Sequence, residues 1–179
     1  MVSLTTDRLL LRPMVPGDLP EVYQIRSSEA VNQFLGRPAP KSEEEIRTFM
    51  KTIQAGIDTG KWFYWGICSS ENDQLMGTIC LWNLSPDQKT AEIGFELHPA
   101  QHRKGYMKES LKAVIDYAFG ELKMDKLEGF THSLNVASID LMKSFGFSLE
   151  RTFSEEENEM GEKVEMGVYG LASPDFGLG

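Results

Sequence analysis

A mixed α/β fold, one twisted sheet with helices on both faces, is what the order of elements predicts. Two observations carry it. Three strand-like stretches, 62–69, 75–83 and 90–98, follow one another across short polar turns, as an antiparallel meander does. Helical and strand-like stretches then alternate over 107–122, 126–131, 136–145, 147–153 and 164–171, which lays helices over a sheet. With a strand at 9–12 and two helices before the meander, the order is βαα-βββ-αβαββ.

Each element has a local reason. Residues 9–12 read Leu-Leu-Leu-Arg, a short apolar strand. Asp18 and Glu21 form a D-x-x-E helix start, with Leu19, Val22 and Tyr23 as a short apolar face. Ser42 and Glu45 form a second capping box, followed at helical spacing by Ile46, Phe49, Met50 and Ile53, and closed by Gly56 and Gly60. Residues 62–69 are rich in aromatics, and 70–73 and 85–89 are polar turns. In 107–122, Leu111, Val114, Ile115, Ala118 and Phe119 share one helix face. The last two strands flank an acidic loop. No repeat, low-complexity segment or linker divides the chain, so a single domain over 1–172 with a fraying tail at 173–179 is expected.

Composition excludes several functions. A chain of 179 residues with 41% hydrophobic and 25% charged residues can bury a sizeable core, which rules out a disordered or fibrous protein. A net charge of −9 repels phosphate backbones, so no nucleic-acid partner is expected, while a cationic partner is permitted. Cys68 and Cys80 lie in apolar strands at a spacing that matches no zinc pattern, and read as reduced core thiols. His98 and His102 are four apart but straddle Pro99 at a strand end rather than sharing a helix face, and His132 is isolated, so no metal is expected. Residues 1–14 lack a signal-peptide layout, and no stretch approaches the ~18 apolar residues of a membrane span. The expectation is a cytoplasmic protein with no membrane partner. The sequence leaves a homodimer open.

The chemistry concentrates in 91–112, AEIGFELHPAQHRKGYMKESLK. A strand ends at His98, Pro99 breaks it, and the basic turn His102-Arg103-Lys104-Gly105 opens into a helix. A helix start exposes about four unpaired N–H groups and roughly half a positive charge. Gly105 lets a ligand approach the backbone, and Arg103 and Lys104 add charge, so the turn suits a pyrophosphate. It is neither a G-x-G-x-x-G loop nor a G-x-x-x-x-G-K-[ST] loop.

Here the sequence resembles the GNAT superfamily, the GCN-five-related N-acetyltransferases, and most closely its RimJ/RimL-type branch of ribosomal-protein N-terminal acetyltransferases. The family's coenzyme-A motif, Q/R-x-x-G-x-G/A, falls on His102-Arg103-Lys104-Gly105-Tyr106-Met107, with His102 and Met107 as departures. Ala91-Glu92-Ile93-Gly94 is similar to the branch's fourth strand, Asn135-x-x-Ser138 followed by Gly146-Phe147 to its N-x-x-S…GF segment, and Glu157-x-x-x-Gly161 with Glu165 and Tyr169 to its closing hairpin. The matches run in order from Arg8 to Leu171.

The resemblance implies a mainly antiparallel sheet splayed between its fourth and fifth strands, with acetyl-CoA in the gap as co-substrate and an amine as acceptor. Backbone N–H groups near Phe95, Glu96 and Leu97 would face the thioester oxygen, freed by a bulge with which Gly94 is compatible, although close packing explains a strand glycine equally. Residues 102–107 and Asn135 would hold the cofactor, Asn135 also capping its helix. Glu92 and Glu96, on one face of the strand, and Glu157, in an acidic cluster with Glu155, Glu156 and Glu159, are the candidate bases, directly or through water; each also reads as solvated surface. The tyrosine that many family members use to protonate the leaving thiolate falls at Met142, so Ser138 is the candidate donor. The acceptor implied is a protein or peptide N-terminal amine, with a polyamine, amino acid or aminoglycoside as the alternative. A silent acetyl-CoA sensor is the other alternative, favoured by Met107 and Met142.

Overall fold

The computed structural model describes residues 1–155 and 163–174. Eight strands form one sheet: β1 (Leu4–Thr5), β2 (Leu9–Arg12), β3 (Phe63–Ser69), β4 (Leu75–Trp82), β5 (Thr90–Leu97), β6 (Lys126–His132), β7 (Ser148–Glu155) and β8 (Val164–Ala172). Five helices accompany them: α1 (Leu19–Ser27), α2 (Glu29–Asn32), α3 (Glu43–Asp58), α4 (Tyr106–Gly120) and α5 (Val136–Lys143). The sheet order is β1-β2-β3-β4-β5-β6-β8-β7, and β5–β6 is its parallel pair. The expected elements are present, with β1 and the one-turn α2 added; the expected fourth strand is therefore β5.

Each sheet face carries its own apolar layer. On one, Leu9, Trp65, Ile79, Ile93 and Leu127 meet Leu111, Val114 and Ala118 of α4 and Ile139 and Met142 of α5. Trp65 packs edge-on against Tyr117 of α4 at 5.8 Å between ring centroids. On the other, Leu19, Val22 and Ile25 of α1 and Ile46 of α3 cover Cys68 and Leu75. The period-two alternation of each strand makes this division.

Three local expectations are corrected. Asp18 does not cap α1: its buried carboxylate takes two guanidinium bonds from Arg12, at 2.8 and 3.0 Å, and the Val15 N–H at 2.7 Å. A paired guanidinium outcompetes the helix start for that carboxylate. The tail does not fray at Ser173, which is buried with its N–H on the Asp125 carbonyl at 2.8 Å. The register between β4 and β5 runs without a shift from Trp82–Glu92 to Gly77–Leu97, so the strand holds no bulge there. Gly94 answers to packing instead: a Cβ at that position would stand 3.2 Å from the Cys80 Sγ. Ser42 does cap α3, accepting from the Glu45 N–H at 3.4 Å. Among the described residues no helix is long and apolar enough to cross a membrane.

Candidate active site

The sheet opens where β5 and β6 part. They pair over only three residues, Thr90–Lys126, Ala91–Leu127 and Glu92–Glu128. Beyond that, β5 stays with β4 to Leu97 and β6 stays with β8 to His132, so a V-shaped gap widens from Ile93 onward. The His98 N–H donates to the Met76 carbonyl at 2.8 Å, on the β4 side. Antiparallel alternation sends the Glu96 and Gly94 N–H groups the same way, which turns those of Phe95 and Leu97 toward the gap. Splaying therefore exposes the donors that a bulge was expected to free.

The departure also orphans the Leu97 carbonyl, and His102 answers it, with its ring Nε2 donating at 2.9 Å. His98 Nδ1 accepts the Ala100 N–H at 3.1 Å, which folds the short 3-10 turn Pro99–Gln101. The chain then turns twice through positive φ, +61° at Arg103 and +82° at Gly105, before α4 starts. Successive amides in such turns converge on an anion. The first helical bond runs from the Glu109 N–H to the Gly105 carbonyl at 3.0 Å, so the amides ahead of it are the helix's unpaired donors. Arg103, Lys104 and Gly105 are exposed, and Met107 leans into the core rather than over the turn, so the backbone approach stays open.

The N-terminal segment braces this turn. Arg8 donates to the Glu109 carboxylate at 2.7 Å through Nε and to the Lys104 carbonyl at 3.0 Å, and its guanidinium lies 4.6 Å from the centre of the Tyr106 ring. Burial alone would raise the Glu109 carboxyl, but the Thr6 hydroxyl and the Arg8 amide and guanidinium bring it below the ordinary glutamate range. A carboxylate in the first turn would otherwise compete with a bound anion; here it is already paired.

The β6 wall supplies the other residues. Asn135 caps α5, its Oδ1 accepting the Ser138 N–H at 3.3 Å, which leaves the amide NH2 to a ligand. Ser138 is half-buried in the first turn of α5. Met142 is sealed in the core, its sulfur filling the space a Cβ on Gly129 would need. Phe95, Leu97, residues 102–107, Asn135 and Ser138 thus gather on the α4–α5 side of the gap.

Glu92 and Glu96 face the opposite side, toward α1 and α3, as their spacing predicts. Burial pushes the Glu92 carboxyl above the ordinary glutamate value; the Asn83 and Trp82 side chains, which donate to it, oppose the rise, and Glu128 adds to it. At roughly 3.3 Å per residue, Glu92 lies about 10 Å from Phe95 and about 16 Å from Leu97 along the strand. Its backbone thus stands well back from those two donors. Glu96 sits between the two donors but is paired to Arg37 and stands 3.7 Å from Arg26. Its backbone N–H belongs to β4. Glu157 lies outside the described residues, as do Glu156, Glu159 and Gly161.

Several contacts had no sequence signal. Arg37, 59 residues from Glu96, reaches it from the loop after α2, and Phe34 of that loop packs on His132 of β6 at 5.4 Å. The loop thereby crosses the gap from one wall to the other. A shallow groove of about 400 Å³ between Trp62 and the 83–88 turn lies at the other end of β5.

The family model described as "Acetyltransferase (GNAT) domain" matches residues 8–148. The "Uncharacterized N-acetyltransferase YoaA" of Bacillus subtilis (strain 168) is 28% identical over 171 residues, 96% of this chain and 97% of that one. Among solved structures, a RimL ribosomal L7/L12 alpha-N-protein acetyltransferase in complex with coenzyme A superposes with a TM-score of 0.86 at 20% identity, covering 96% of this chain and 98% of the other. A spermidine N-acetyltransferase from Vibrio cholerae, in complex with CoA and spermine, does so at 0.82 and 18%, covering 94% and 97%. The splayed sheet, the basic turn at the start of α4 and the matched family model together place the chain in the GNAT family of acetyltransferases.

Proposed function

We propose that the chain transfers the acetyl group of acetyl-CoA to a primary amine in the gap between β5 and β6, and that the acceptor is the α-amine of a protein or peptide N-terminus. The observation that carries it is the unpaired β5 edge, Phe95 and Leu97, leading directly into the His102–Met107 turn at the start of α4. Acetyl-CoA, when bound, supplies the activated acetyl thioester. Residues 102–107 would hold its pyrophosphate and Asn135 its amide-bearing arm. The Phe95 and Leu97 N–H groups stabilise negative charge at the carbonyl oxygen under attack. Ser138 donates toward the departing sulfur. Glu92, desolvated and held by Trp82 and Asn83, receives the amine proton through water.

The α-amine reading rests on proton demand and on the likeness to the RimL enzyme. An α-amino group titrates near 7.7–8, whereas a lysine or polyamine amine titrates near 10.4. A base set about 10 Å or more along the strand from the donors, acting through water, suits the weaker demand. The polyamine enzyme's fold is similar as well, so fold alone does not choose. Glu157 is a second candidate base, and the acidic run around it would act as a lip that draws in the cationic amine. Neutralising Glu155, Glu156, Glu157 and Glu159 together is expected to lower kcat/KM and flatten its salt dependence; no change in either removes the lip.

The test is CoA release from acetyl-CoA, followed with a thiol reagent, across N-terminal peptides, polyamines and aminoglycosides. Release with peptides, half-maximal near pH 8, supports the proposal. Release with polyamines alone reassigns the acceptor, and silence from all alongside acetyl-CoA binding supports a sensor.

A further inference from the structure

We propose that Arg26 and Arg37 form a carboxylate-binding site for the acceptor, so that the amine acetylated belongs to a molecule with an acidic group close to it. This rests on the transferase reading above and narrows its substrate class.

Among the described residues the charge of this cluster does not balance. One buried carboxylate, Glu96, faces two guanidinium groups, each largely buried, with side chains 19% and 22% exposed. Arg37 holds one oxygen of Glu96 and donates through Nε to the Asn32 Oδ1 at 2.9 Å. The other Glu96 oxygen accepts from the Thr78 hydroxyl at 3.4 Å, and Thr78 in turn meets the Tyr64 hydroxyl at 3.1 Å. Arg26 stands 3.7 Å from that oxygen, beyond hydrogen-bond range, with its guanidinium carbon over the Phe49 ring, 3.9 Å from the centroid. Among the described residues no hydrogen bond fills its guanidinium, which carries five N–H donors. The unpaired Arg26 donors keep access to solvent, and so to an incoming ligand, and a cation largely withdrawn from water gains from a second anion. Glu96, shared with Arg37 and Thr78, answers only one of the two positive charges.

Position assigns the missing anion to the acceptor. Glu96 lies between Phe95 and Leu97, whose N–H groups line the gap, and its side chain is on the face away from the pyrophosphate turn. A cofactor bound on the α4 face leaves the α1–α3 face for the incoming amine. The loop bearing Arg37 crosses the gap there, with Phe34 against His132. A guanidinium held over a ring keeps its N–H fork available for carboxylate oxygens. The carboxylate has two sources: that of a free amino acid, or an Asp or Glu side chain just after a peptide N-terminus.

The experiment measures CoA release with matched acceptor pairs, each rate corrected for its fraction of neutral amine. The pairs are α-amino acids against their carboxamides, and N-terminal peptides with Asp or Glu at the second or third residue against Asn or Gln. Wild type is expected to prefer the acidic member. In Arg26→Gln that preference collapses through a roughly 10- to 100-fold loss of kcat/KM on the acidic member alone, and Arg26→Lys recovers part of it. The pair showing the larger preference names the source. A merely structural Arg26 would depress both members equally. Equal rates for both members in wild type overturn the inference while the transferase reading stands, and this arm decides even if Arg26→Gln does not fold. A preference that survives in Arg26→Gln overturns it too. No release with any amine defeats both.

Discussion

At the scale of single residues, the site separates groups that share a sequence pattern. Glu92 and Glu96 share one strand face, and Glu92 was the preferred base of the two. The fold gives Glu96 to two arginines and leaves Glu92 with neutral donors and a raised affinity for protons. Because its folded pKa is raised, Glu92 disfavours folding as pH climbs through that pKa. Glu92→Gln is therefore expected to match or exceed the wild-type Tm at pH 7 to 8, with no advantage near pH 4, while kcat falls and its rise with pH moves higher. A lower Tm at neutral pH, with kcat intact, would make Glu92 structural. Ser138→Ala is expected to lower kcat about tenfold to a hundredfold with little effect on acetyl-CoA binding. An unchanged kcat in steady-state assays removes Ser138 from the chemistry. The Asn135 cap was legible because cap and helix are neighbours in sequence, whereas Ser138 was singled out only by the family resemblance. The Arg26–Glu96–Arg37 cluster was not, since nothing local in an arginine of α1 or of a loop announces a partner on β5.

Among the elements, the α4 turn shows how backbone conformation makes a binding surface. Gly105 holds φ at +82°, and an added Cβ would stand 3.3 Å from an Arg8 nitrogen. Gly105→Ala is expected to cost about 1–2 kcal/mol of stability and to weaken acetyl-CoA binding, measured by thermal unfolding and calorimetric titration. Undiminished acetyl-CoA affinity in that variant would separate the turn from the cofactor. The brace from Arg8 to Glu109 carries a pH signature. Glu109 titrates below its ordinary range, so the pair's contribution is present above the usual glutamate pKa and lost as pH falls through the lowered one. The Tm of Glu109→Gln should lie below wild type at pH 7, and the difference should close below about pH 4. The turn was readable from Arg103, Lys104 and Gly105. Its brace was not, because Arg8 and Glu109 are 101 residues apart, nor was the bond from His102 to Leu97, since the carbonyl it serves is orphaned only when two strands part.

Across the whole molecule, function depends on the sheet failing to close. The order of strands and helices was legible because each carries its own periodicity and caps. The two-residue β1 was missed, as Leu4–Thr5 is too short to show alternation and exists through its pairing with Leu10 and Leu11. A bulge was expected where strand divergence does the work, since both free the same N–H groups and a lone glycine fits either. In the proposed complex acetyl-CoA lies in the gap, with its thioester against the β5 edge. Amide NMR of the uniformly labelled protein, titrated with acetyl-CoA, tests this most directly. The largest shifts are expected at Phe95 and Leu97 and at Gly105 to Met107, with Asn135 and Ser138 following. Shifts confined to the Trp62 and 83–88 groove, or none at saturating ligand, would contradict it.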